Sequence, residues 1–269
     1  MRAVILAAGR GHRLRDVTGD APKCLAEVGG RTLLNRQIRS LRRCGIEEIA
    51  VVAGYRADDV RRACDQDVDL VINTRYESTN SLYSLWLARD LLAQGFVVLN
   101  CDVLFHDQLL WDLLTTRDED ALLMAAPRGH IFSDEEMKIR VRAGCVSTIA
   151  KTLDPAQTDG ENVGLAKFGR AGAAVLGAEL AAVLADGGLR EWLPRAFDGF
   201  ARVRPLHVIE TRGFPWIEID FPEDHRRACL EVLPALSADT TPADGDRRRH
   251  PFQRPREIAA DRSGSTLYV

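Results

Sequence analysis

The chain has 269 residues, 46% hydrophobic and 28% charged, the balance of a globular protein with room for a substantial core. Its net charge of -3 argues against nucleic-acid binding as its main business, and no apolar run approaches the ~20 residues that span a bilayer. The short run MRAVILAAG leads into a glycine loop, unlike a secretory signal. Cys24, Cys44, Cys64, Cys101, Cys145 and Cys229 are scattered without a CxxC pair, so reduced thiols and a cytoplasmic location are expected.

The first half alternates strands with helices. VILAA (4–8) predicts a buried strand, and the spacing of Leu34, Ile38 and Leu41 predicts an amphipathic helix over 32–45, ended by Gly45. Strands are expected at 48–54, 69–74, 96–103 and 120–127, with helices at 58–64, 81–94 and 107–114. The pattern implies an α/β fold: a Rossmann-like, mixed but mostly parallel sheet with helices on both faces. Ligands of such sheets bind beyond the carboxyl ends of the strands, which gathers the loops after Ala8, Gly54, Thr74 and Asp102 on one rim.

From 128 onward the pattern predicts a smaller α+β lobe. It comprises two strands in 139–153, a strand at 162–169, a helix over 171–188 and a strand over 203–211. WIEID (216–220) is expected to return to the main sheet, and 222–233 to be helical. Residues 1–233 thus form one domain, with halves 1–127 and 128–233. The segment 234–269, rich in Pro, Asp, Arg, Ser and Thr, is expected to be a flexible tail.

The loop LAAGRGHRLR (6–15) has the composition of an anion cradle. A dinucleotide fingerprint requires a third glycine where Leu14 stands, which disfavours a resident NAD. The basic side chains continue to Lys23, after Pro22. Backbone amides at Gly9 and Gly11, with Arg13 and Lys23, suit a triphosphate whose leaving pyrophosphate gains charge in the transition state.

L-A-A-G-x-G-x-R-L followed by P-K resembles the signature of nucleotidyltransferases that join an NTP to a phosphorylated small molecule, with the nucleotide-diphospho-sugar transferase fold. Further stretches resemble the bacterial phosphocholine and phosphonate cytidylyltransferase branch: NTRYESTNSLYSLWLA (73–88), CDVLF (101–105), EEMKI (135–139), GENVGLAKF (160–168) and WIEIDFPEDHRRA (216–228). The resemblance implies CTP and a small phosphorylated or phosphonate acceptor as partners. Asp102 ends a strand, and Glu218 and Asp220 lie two apart on another, so both point to one face. Together they would make an oxygen-rich Mg²⁺ site. Asn80 and Ser84, beside Leu6 and Ala8, are expected near the nucleotide, although Asn80 or Ser81 could equally cap a helix. The similarity places Lys138 beside the acceptor phosphate as a catalytic cation. Lys151, Glu161 and Trp216 are candidates for acceptor contact, and Trp192 for an aromatic wall.

The rival readings are a sugar-1-phosphate nucleotidylyltransferase using UTP or TTP and a non-catalytic nucleotide sensor. The 80–84 stretch, in place of a Q-x-x-P-x-G segment, disfavours the first. The complete set of carboxylates and loop cations disfavours the second. A homodimer is left open.

Overall fold

The computed structural model describes residues 1–126 and 132–238. The expected boundary at 127/128 and the tail beyond 238 lie outside the described residues.

In chain order the strands are β1 (Arg2–Ala7), β2 (Glu27–Val28), β3 (Arg31–Thr32), β4 (Ile49–Ala53), β5 (Asp69–Ile72), β6 (Phe96–Asn100), β7 (Val103–Phe105), β8 (Ala121–Ala125), β9 (Lys138–Arg142), β10 (Cys145–Ala150), β11 (Gly160–Phe168), β12 (His207–Glu210) and β13 (Trp216–Glu218). The α-helices are α1 (Arg15–Thr18), α2 (Leu33–Arg43), α3 (Ala57–Ala63), α4 (Ser81–Leu87), α5 (Asp107–Thr115), α6 (Arg170–Ala185), α7 (Pro194–Val203), α8 (Pro222–Arg227) and α9 (Leu233–Ala238).

Nine strands form one sheet in the order β5-β4-β1-β6-β11-β8-β12-β10-β9, and β9 also pairs with β11. Strand alternation explains why both faces are covered. Ala3, Ile5 and Ala7 of β1 pack with Leu34, Ile38 and Leu41 of α2 and Leu109, Leu110 and Leu113 of α5. Val4 and Leu6 of β1 face the other way, against Leu82 and Leu85 of α4, Leu176 and Leu180 of α6, and Phe200 of α7.

The mixed α/β sheet is the one the sequence implies, but its parallel share is smaller than expected. The pairs β5–β4, β4–β1, β1–β6 and β8–β12 are parallel. β11 runs antiparallel to both β6 and β8, and β10 to both β9 and β12. The strands of the second half therefore extend the sheet of the first rather than forming one of their own.

Several boundaries differ for local reasons. The expected strand 96–103 breaks after Asn100, where Gln37 Nε2 donates to the carbonyls of Asn100 (2.8 Å) and Val103 (2.9 Å) and gathers the chain into a turn. The expected helix 81–94 stops at Leu87 and continues as a 3₁₀ turn over Arg89–Leu91. A helix at Pro194–Val203 occupies a stretch without a sequence assignment and shortens the following strand to His207–Glu210. Helical structure continues past residue 233 to Ala238.

WIEID does not return to the main sheet: β13 pairs antiparallel with β7 in a separate two-stranded ribbon. Leu104, Ile217 and Ile219 there pack with Leu14, Val28, Leu33 and Ala228 in a third small core. That core clamps the front loop and the C-terminal carboxylates to the same rim.

Candidate active site

The carboxyl ends of β1 and β6 open into a cleft of about 390 Å³. Its walls include Leu6, Ala8, Gly9, Gly11, Arg13 and Lys23 from the front loop, and Asp102, Glu218 and Asp220 from the facing ribbon. The ribbon is fixed by its own backbone: the Ile219 N–H donates to the Asp102 carbonyl at 3.0 Å.

Gly11 shows why the loop needs a glycine at this position. Its φ is +70°, and a Cβ there would lie 2.5 Å from Lys23 Cβ. Lys23 can cross the loop only because Gly11 has no side chain. Gly11→Ala is expected to cost about 1–3 kcal/mol from left-handed strain and this clash, read as a lower urea midpoint at unchanged slope.

Lys23 Nζ donates to Asp102 Oδ2 at 2.8 Å and to Asp220 Oδ1. Burial pushes its ammonium down, but the charges of Asp102 and Asp220 outweigh that and hold it well above the ordinary lysine range. Asp102, Glu218 and Asp220 each present an oxygen, and the three oxygens lie within 4.8 Å of one another. Glu218 opens onto the cleft, yet the loss of solvent around its carboxyl, reinforced by the charges of Asp102 and Asp220, pushes it up to about 8.

This cluster fits a divalent cation on two counts. Its donors are all hard carboxylate oxygens, the class Mg²⁺ prefers. Asp102 Oδ1 is buried without a hydrogen-bond partner, which is costly for a charged oxygen unless a cation meets it.

The other wall carries polar groups suited to a nucleoside. Asn73 is 1% exposed, and its Nδ2 donates to Thr79 Oγ1 (3.1 Å) and Ser84 Oγ (3.2 Å). Ser84 Oγ donates in turn to the Asn80 carbonyl at 3.3 Å. Asn80 caps α4, its Oδ1 accepting the Ser81 N–H at 2.8 Å, and still lines the cleft. One residue thus caps the helix and faces the cleft.

Residues 3–200 match a family described as the MobA-like NTP transferase domain. The chain belongs to that family. It is 31% identical over 132 residues to the CTP:phosphoglutamine cytidylyltransferase of Campylobacter jejuni, covering 46% of this chain and 52% of that protein. It is 34% identical over 240 residues to the bifunctional IPC transferase and DIPP synthase of Rubrobacter xylanophilus, covering 86% of this chain and 52% of that protein. The chain spans about half the length of these curated relatives. The solved CTP:phosphocholine cytidylyltransferase from Streptococcus pneumoniae shares the fold, with a TM-score of 0.72 at 24% identity over 84% of this chain and 96% of that one.

Within this NTP transferase domain the expected acceptor residues are placed unevenly. Lys138 is corrected: it is 1% exposed, donates to the Ser133 carbonyl at 2.5 Å and does not line the cleft, whereas its neighbour Met137 does. Strand alternation turns the two side chains to opposite faces. Trp216 is also corrected, since it packs half-buried against the core beneath β13. Glu161 stays off the cleft wall, although its charge helps to hold Glu218 up.

Lys151 does line the cleft, beside Trp192 and Glu135. Arg13 stands at the mouth, with Nη1 3.1 Å from Glu135 Oε2 and its guanidinium 5.0 Å from the centre of the Phe221 ring. Sequence reasoning gave no role to Asn73, Glu135, Asn100 or Asn162, all of which line the cleft. Asn73 was the most readable of them, as the polar end of a predicted strand on the binding rim.

Proposed function

We propose that this domain transfers CMP from CTP to a small phosphate or phosphonate monoester and releases pyrophosphate, with Mg²⁺. The observation that carries this reading is the meeting, in one cleft, of the Gly9–Gly11 loop, Arg13 and Lys23 with the Asp102, Glu218 and Asp220 cluster. The cytidylyltransferase relative supports CTP as the donor.

The chain's own groups divide the work. Loop amides, Arg13 and Lys23 neutralise the triphosphate and the charge that builds on the departing pyrophosphate. Asn80, Ser84 and Asn73 form the polar wall for the nucleoside. Asp102, Glu218 and Asp220 would hold the Mg²⁺, which supplies Lewis-acid polarisation of the phosphate. The acceptor is ionised at neutral pH, so the cleft needs to align it for in-line attack and does not need a general base.

The test is pyrophosphate release over a matrix of four NTPs against phosphocholine, 2-aminoethylphosphonate, other phosphonates and sugar 1-phosphates. Turnover confined to CTP pairings is expected. Turnover of UTP or TTP with a sugar phosphate, with every CTP pairing silent, would defeat the assignment.

A further inference from the structure

In the reading above, Asp102, Glu218 and Asp220 serve the metal, and Arg13 and Lys23 serve the triphosphate. Among the described residues lining the cleft, this leaves one further carboxylate, Glu135, and one further lysine, Lys151. Lys151 Nζ lies 3.7 Å from Glu135 Oε2, the same oxygen that Arg13 approaches to 3.1 Å. The Lys151 ammonium also stands 5.2 Å from the centre of the Trp192 ring, and Trp192 is 50% exposed.

Resting on the cytidylyl-transfer reading, we infer that Glu135, Lys151 and Trp192 bind the non-reacting end of the acceptor, and that this end is zwitterionic, with an ammonium and a carboxylate on a short chain.

The three side chains converge from separate places in the fold: Glu135 from the segment before β9, Lys151 from the end of β10 and Trp192 from the connection between α6 and α7. A 3.7 Å ion pair between water-accessible side chains stabilises little, so a ligand that offers each partner a closer contact displaces it. Arg13, drawn onto the triphosphate, frees Glu135 Oε2 for the ligand's ammonium. Lys151 then takes the ligand's carboxylate, and Trp192 forms the wall along the chain between them.

Other head groups fit less well. A trimethylammonium needs an open aromatic face, and here a like charge already occupies the face of Trp192. A purely anionic tail leaves Glu135 opposing it. A neutral sugar uses neither charge.

The experiment measures kcat and KM with CTP and Mg²⁺ for O-phosphoserine, phosphoethanolamine, phosphocholine and phosphoglycolate. O-phosphoserine is expected to exceed each of the others in kcat/KM by at least about tenfold, the worth of one charge-assisted hydrogen bond. Lys151→Met should lower the O-phosphoserine to phosphoethanolamine ratio about tenfold, through the acceptor KM rather than kcat. Glu135→Gln should lower both amine-bearing acceptors relative to phosphoglycolate. Phosphocholine equal to or better than O-phosphoserine, or a Lys151→Met loss spread evenly over all four acceptors, overturns the inference and leaves cytidylyl transfer standing. Silence with CTP across the panel, with turnover of UTP or TTP on a sugar 1-phosphate, overturns both.

Discussion

Asp102→Asn is expected to lower pyrophosphate release by at least ~10³-fold while leaving the fold intact. The loss follows from position. Asp102 stands at the turn between β6 and β7, its Oδ2 on Lys23 and its buried Oδ1 unpaired, so it has one oxygen ready for a cation. An amide keeps the shape but cannot neutralise a divalent ion. The fold should tolerate the change for three reasons. The Asp102 contact that ties the ribbon together is its backbone carbonyl, which accepts from Ile219. Lys23 keeps Asp220 as a partner. Removing the negative charge also relieves one of the three carboxylates, Asp102, Asp220 and Glu161, that push Glu218 up. Circular dichroism and the urea midpoint check the fold, and a coupled pyrophosphate assay checks the rate. A near-normal rate in this variant would remove Asp102 from the mechanism.

The legible and illegible parts of the site differ in physical kind. Gly9, Gly11, Arg13 and Lys23 are close in sequence, and their spacing dictates a short loop of defined chemistry. Glu218 and Asp220 were readable from their two-residue spacing in an extended run, although β13 itself ends at Glu218. Asp102 was readable as a polar end to an apolar run. The parallel core strands were legible for the same reason, since a run such as AVILA is buried on both faces whatever its neighbours.

The remainder depends on long-range register, which local patterns do not encode. Lys138 and Met137 are adjacent, and only the pairing of β9 with β10 and β11 decides which one meets the cleft. Trp216 shares a strand with Glu218, yet the packing of β13 over the core claims its ring. The WIEID strand was recognisable as a strand, but its partner β7 emerged only once Gln37 had split the run 96–103. α7 carried a readable signal, with Pro194 at its first position and Ala196, Phe197 and Phe200 on one buried stripe. Its alternation with the basic residues beside it obscured where the following strand began.

Lys23→Met is expected to separate two properties that usually fall together: Mg²⁺ should bind the free protein more tightly while turnover drops by about 10²–10³-fold. Lys23 is the counter-ion of the carboxylate cluster, with a side chain 12% exposed against Asp102 at 18%. Removing it leaves three carboxylates facing one another, with Asp102 the more buried of the two acids that pair with Lys23. Breaking a partly buried ion pair from one side costs about 1–3 kcal/mol, with the Asp220 contact contributing less because water reaches that carboxylate. The cost should appear as a lower melting temperature in chelator and should shrink when Mg²⁺ is added, because a cation that binds only the folded state then takes the place of the ammonium. The same vacated charge removes an electrostatic competitor, so Mg²⁺ titrated calorimetrically into the variant should bind at least about tenfold tighter than into the parent protein. Catalysis moves the other way, because Arg13 alone of the two loop cations then meets the charge that builds as pyrophosphate departs. Weaker Mg²⁺ binding in Lys23→Met would show that the lysine organises the carboxylates rather than competing for them. An unchanged melting temperature in chelator would show that the three acids share their charge without it.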